Sequence, residues 1–175
     1  MVEQQLHTFL FADIAGYSLV ADQSGDEAAA DLALHFLSEA SSIADAHGGE
    51  IVKNLGDAVM VHVEDAAESI RLALELMSGF GHDADLPPIH AGLHTGPAVS
   101  RAGDWWGATV NVAARVAAAA EPGQLLVTEA TRLSAGHVGT TRWQGLEPLS
   151  LKNIRFPVKV YAAYAPLPAS QAVTA

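Results

Sequence analysis

The sequence predicts an α+β domain: a ferredoxin-like βαββαβ core with an additional helix and strands at its C-terminal end. Two observations carry that prediction. Apolar periodicity changes between a strand-like and a helix-like repeat in the order β-α-β-β-α-β over residues 6–94. Half of the 175 residues are hydrophobic, enough to fill one core without covalent staples. The domain is assigned to residues 1–166, and the Ala-, Pro- and Ser-rich residues 167–175 are expected to fray.

The first strand is the apolar run 6–12, ending at Asp13 and a turn, Ala15-Gly16-Tyr17-Ser18. From Asp26 to His47 the pattern is helical, with Ala28, Leu32, Phe36, Ala40 and Ala44 recurring every fourth residue and Gly48-Gly49 as the stop. Residues 50–53 and 58–63 read as two short strands around the turn Asn54-Leu55-Gly56-Asp57, a hairpin. Asp65-Ala-Ala-Glu68 opens a second helix running to about Phe80, with Ile70, Ala73, Leu74 and Met77 on one face. A loop rich in Gly, Asp and Pro (81–88) leads to a strand at 89–94 and then a turn near Gly103. A helix is expected from about Gly107 to Ala120, then strands at 124–128, 140–144 and 157–164.

Composition narrows the functions open to such a domain. The absence of cysteine excludes disulfides, thiolate metal sites and cysteine nucleophiles. A net charge of −11 repels nucleic acid and anionic lipid, so neither is expected as a partner. No apolar run approaches the length of a membrane span and no secretory leader is visible, so a cytoplasmic location is expected.

Several polar residues stand where a fold alone does not ask for them. Asp13 ends the first strand, and Asp57 lies in the hairpin turn. If those elements adjoin, the two carboxylates repel unless a hard cation such as Mg²⁺ or Mn²⁺ lies between them. Both are also ordinary turn formers, and spacing alone leaves the two readings open. Lys53 stands in the same apolar hairpin, and Asn111 and Arg115 share one face of an otherwise apolar helix, where each needs a partner. His90 and His94 lie on a strand without a metal-binding helical pattern and read as packed or loop histidines, while Trp105-Trp106 reads as a core or dimer contact.

Taken in order, Phe11-Ala-Asp13-Ile-Ala-Gly16-Tyr17-Ser18, Lys53-Asn-Leu-Gly56-Asp57, Gly92-Leu-His-Thr-Gly96, Asp104-Trp-Trp-Gly107-Ala-Thr-Val-Asn111-Val-Ala-Ala-Arg115 and Glu121-Pro-Gly-Gln-Leu-Leu-Val resemble the class III nucleotidyl cyclases, from Phe9 to Tyr164. The resemblance implies a cyclase domain of polymerase-palm-like architecture. Its activity would convert ATP to 3′,5′-cyclic AMP and pyrophosphate with two divalent cations, Mg²⁺ or Mn²⁺. It implies Asp13, Asp57 and the Ile14 carbonyl as metal ligands, and the amides of Ala15, Gly16, Tyr17 and Ser18 as a phosphate cradle. Arg115 takes the place of the transition-state arginine, Asn111 of the ribose-orienting residue and Lys152 of the triphosphate lysine. Lys53 and Asp104 fall at the two base-reading positions.

A lysine donor and an aspartate acceptor match adenine, which accepts at N1 and donates from N6, and mismatch guanine, which reverses both. The family builds its site between two protomers, and this chain holds both halves, as a homodimer with two equivalent sites requires. Two departures from the family pattern stand out. Asn153 follows Lys152 where the family usually has Gly, so a stiffer loop is expected to re-aim the lysine. Pro97 replaces a polar or charged residue. A guanylyl or mixed-specificity cyclase and a silent nucleotide-sensing module are the alternative functions.

Overall fold

The computed structural model describes residues 5–81 and 86–166; the tail expected at 167–175 and part of the 81–88 loop lie outside the described residues. In chain order the elements are β1 (Leu6–Ile14), α1 (Tyr17–Ser24), α2 (Asp26–Ala46), β2 (Gly49–Asn54), β3 (Ala58–Val63), α3 (Ala66–Gly79) and β4 (Ile89–Pro97). There follow β5 (Val99–Arg101), β6 (Asp104–Trp106), α4 (Ala108–Ala119), β7 (Leu125–Thr128), α5 (Glu129–Ala135), β8 (Arg142–Gly145) and β9 (Val160–Tyr164). The main sheet has the order β2-β3-β1-β4-β7-β9-β8. Its first four strands pair antiparallel in the ferredoxin-like order, and β7 joins β4 in parallel.

Strand alternation sorts the side chains onto two faces. Leu10, Ala12 and Ile14 of β1, Val59 and Val61 of β3, and Ile89, Ala91 and Leu93 of β4 form the main core with Phe36 and Ala40 of α2 and Ile70, Ala73 and Leu76 of α3. The opposite face carries Phe9 and Met60, and α4 covers it through Ala113 and Val110. Two glycines let that helix approach. A Cβ on Gly92 would stand 2.2 Å from the Ala117 nitrogen, and one on Gly96 would stand 2.7 Å from Thr109 Oγ1, so only glycine fits at either place.

Three features escaped the periodicity. Helix α1 has no buried residue and so no apolar stripe to betray it. The β5–β6 hairpin has strands of only three residues. Helix α5 spans seven residues and starts at the side-chain cap of Thr128 on the Thr131 amide. The cap expected at Asp65 is present, accepting from the amides of Ala67 and Glu68.

Candidate active site

On β1, Asp13 alternates with Ala12 and Ile14, which places it on the α4 face with Phe9 and Phe11. The turn after β2 brings Asp57 beside it: the Ile14 amide donates to the Asp57 carbonyl at 3.0 Å. That turn is held by the Gly56 amide on Asn54 Oδ1 at 3.0 Å and by Leu55 N–H on the Ala58 carbonyl at 2.8 Å. Burial, and then the Asp57 charge, push the Asp13 carboxyl above the usual aspartate range, against the lowering influence of His90. Asp13 Oδ1 is buried with no hydrogen-bond partner among the described residues. Two mutually repelling carboxylates, one with an orphaned oxygen, fit a hard cation. Among the described residues no three acidic or imidazole groups lie close enough to hold an ion by themselves. The remaining ligands therefore have to come from backbone, water or phosphate oxygens, as Mg²⁺ commonly arranges them.

His90 belongs to this end as well, which the reading of it as a packed or loop histidine missed. The β1–β4 register sets it directly opposite Asp13. Its Nδ1 lies 3.0 Å from the Ala117 carbonyl, so that nitrogen carries the proton, and its Nε2 stands 3.6 Å from Asp13 Oδ2. Only the register reveals this, because His90 and Asp13 are 77 residues apart, as their numbers give. His94 does read as a packed histidine: its Nδ1 lies 2.9 Å from Thr128 Oγ1, and burial brings its pKa down to about 4.

The expected phosphate cradle is smaller by one amide. Ala15 N–H donates to the Pro88 carbonyl at 2.9 Å and is not available to a ligand in this arrangement. Gly16 takes a left-handed φ of 73° that turns the chain into α1, where the amides of Tyr17 and Ser18 precede any acceptor within the helix.

Lys53 and Asp104 come together. Lys53 Nζ lies 2.7 Å from Asp104 Oδ2, and the Trp105 amide donates to Asp104 Oδ1 at 2.8 Å. The hydrogen bond from Lys53 holds the Asp104 carboxyl below the usual range. A bulge in β2 makes the meeting possible. Ile51 pairs with Val61, but Lys53 pairs with Met60, so the extra residue rotates Lys53 from the main-core face to the α4 face. Asn111 and Arg115 both face solvent from α4, and Arg115 takes part in no ion pair among the described residues. Lys152 is exposed in a turn, and Asn153 after it adopts φ 64°. That is the left-handed conformation glycine would supply, and asparagine tolerates it better than most residues, so the departure from the family pattern keeps a glycine-like backbone.

Comparison with known proteins shows the family and the fold. The family model of the adenylate and guanylate cyclase catalytic domain matches residues 2–155. A pH-sensitive adenylate cyclase of Mycobacterium tuberculosis is 34% identical over 157 residues, 88% of this chain and 39% of that protein. An adenylate cyclase of Streptomyces coelicolor is 32% identical over 120 residues, 69% of this chain and 32% of that protein. The chain thus spans about two-fifths or less of the length of these relatives. A solved adenylate cyclase structure from Trypanosoma brucei, described as monomeric, superposes with a TM-score of 0.84 at 21% identity, covering 91% of this chain and 88% of that one.

Proposed function

Because the chain belongs to the adenylate and guanylate cyclase catalytic-domain family, we propose that it cyclises ATP to 3′,5′-cyclic AMP and pyrophosphate at sites shared by two copies of itself. The observation that carries the choice of ATP is the Lys53–Asp104 pair, a cationic donor and an anionic acceptor 2.7 Å apart. An ammonium has three donors and a carboxylate about four lone-pair sites, so the pair can stay intact while Lys53 donates to adenine N1 and Asp104 accepts from N6.

Divalent cations at Asp13 and Asp57 would supply the positive charge that acidifies the ribose 3′-hydroxyl and neutralises the departing pyrophosphate. Asp13 and Asp57, with the Ile14 carbonyl, hold them. The amides of Gly16, Tyr17 and Ser18 bind phosphate oxygens at the start of α1, and Lys152 grips the triphosphate. Asn111 orients the ribose, and Arg115 opposes the charge that builds on the α-phosphate. In this scheme one copy supplies the aspartates and the other the lysines, Asp104, Asn111 and Arg115. The solvent-facing Asn111 and Arg115 support that division. So do the exposed apolar side chains Leu6, Val99 and Trp106, which a second copy would cover.

The test is to give the purified protein ATP and GTP in parallel, with Mg²⁺ or Mn²⁺, and to identify the products. Cyclic AMP is expected in excess. Equal or better turnover of GTP would defeat the base assignment, and tight nucleotide binding without product would make the chain a sensor. Mixing Asp57→Ala with Arg115→Ala protein should restore part of the activity each lacks, because one site of the mixed dimer is intact.

A further inference from the structure

Among the described residues strands β5 and β6 pair only with each other, and a lone two-stranded hairpin is marginal in water. Its two-residue turn requires positive φ at both Ala102 (52°) and Gly103 (76°), a conformation that suits glycine and strains alanine. Contacts outside the hairpin have to hold it, and Trp105 of β6 makes them with β1 and β3. Its ring stacks on His62 with centroids 4.3 Å apart and 28° between planes. It also lies 4.4 Å from the His7 ring and edge-on to Phe9 at 5.5 Å. Beneath it His7 Nδ1 and His62 Nε2 share a hydrogen bond of 3.0 Å, with both residues more than nine-tenths buried. Burial, and then the neighbouring His7, lower the pKa of His62.

This platform carries Asp104. The backbone amide of Trp105 holds one carboxylate oxygen of Asp104 while Lys53 holds the other. The direction of the carboxylate therefore follows the seat of the indole ring one residue along. We propose that Trp105, seated on the His7–His62 pair, is a positioning residue for Asp104 and so sets how strongly adenine is preferred over guanine. The inference rests on the base-reading role given above to Lys53 and Asp104, and extends it to residues that need not touch the nucleotide.

The experiment compares Trp105→Ala, Asp104→Ala and the double variant in the whole chain, by kcat and KM for ATP and for GTP, with unfolding midpoints alongside. The expected result for Trp105→Ala is a fall of about tenfold in the ATP-to-GTP ratio of kcat/KM, carried by KM for ATP. The double variant should be no less selective than Asp104→Ala alone, because both substitutions remove the same contact. If Asp104→Ala collapses the ratio while Trp105→Ala leaves it unchanged, or if the two losses add in full, the positioning role is wrong and the base reading stands. If Asp104→Ala leaves the ratio unchanged, the base reading fails and takes this inference with it. Should Trp105→Ala not fold, His62→Leu keeps apolar volume under the indole but removes the flat ring and its bond to His7. It should lower the ratio about threefold, and an unchanged ratio would overturn the proposal.

Discussion

Around Asp13, on β1 of the main sheet, the chain leaves charge uncompensated, whereas around Asp104, on the β5–β6 hairpin, it compensates it fully. Asp13 keeps a buried oxygen without a partner among the described residues, stands beside Asp57 and is driven toward its protonated form. Asp104 has an ammonium on one oxygen, an amide on the other, and a carboxyl driven toward ionisation. The same residue type thus meets opposite environments, once on a strand of the main sheet and once on the separate β5–β6 hairpin. The difference teaches which end waits for a ligand's charge and which reads a ligand's shape. An uncompensated pair gains most from an added cation, and a compensated pair keeps its geometry before the base arrives.

The largest effect expected from breaking that contrast is at Asp13. For an acid whose folded pKa is raised, ionisation costs stability. The cost is full above the folded pKa and is relieved as pH falls through it. Asp13→Asn should therefore abolish turnover, by about a thousandfold or more, while raising the unfolding midpoint of the metal-free protein. A calorimetric scan and a product assay on the same preparation check both halves. Divalent-cation affinity should also weaken with acid from above the ordinary aspartate range, because the cation has to displace that proton.

Next comes Arg115, exposed and free of ion pairs among the described residues, so that its removal leaves no buried charge behind. Arg115→Ala should cost about 3–4 kcal/mol of activation free energy, hundreds-fold in kcat, with an unchanged unfolding midpoint. Near-normal turnover would remove Arg115 from the site.

Exchanging the compensated pair sharpens the comparison from the other side. Lys53→Glu with Asp104→Ser replaces the donor by an acceptor and the acceptor by a hydroxyl able to donate, the polarity that guanine N1–H and O6 ask for, and should lower the ATP-to-GTP ratio by more than about tenfold. Competition between the two nucleotides reads it.

The smallest effect lies away from both ends and serves as a control for pH. His47 bridges Glu68 and Glu75 of α3 at 2.8 Å each. Burial opposes its charge, but the bonds to Glu75 and Glu68 outweigh burial and raise its pKa above the unfolded value near 6.5. Its contribution to stability is full below about 6.5 and fades as pH rises through the folded value. Melting curves between pH 5 and pH 9 should show a small decline that His47→Gln removes, roughly a degree or two, with KM unaffected.

How much of this was legible in the sequence follows from what each feature depends on. Strands β1 to β4 and helices α2, α3 and α4 were readable because each buries a periodic face, Phe36, Ala40 and Ala44 on α2 being an example. Helix α1 buries nothing and β5–β6 is too short to show a period, so neither announced itself. At the site, Asp13 and Asp57 were visible as acids beside an apolar strand and in a turn. The pairing of Asp13 with His90, the loss of the Ala15 amide to Pro88, and the bulge that turns Lys53 toward Asp104 all depend on strand register and long-range contacts. No local pattern encodes those. Trp105 showed the same limit: its size marked it as an anchor, but the His7–His62 seat depends on β1 and β3 lying side by side.

The most direct test of the central claim is Mn²⁺ binding followed by electron paramagnetic resonance, with an ATP analogue that cannot cyclise, in the native chain and in Asp13→Asn and Asp57→Asn. Nucleotide-dependent Mn²⁺ binding that is strong in the native chain and weakened at least about tenfold in each variant is the predicted result. Equal binding in all three proteins would mean that these carboxylates hold no cation, and would contradict the account.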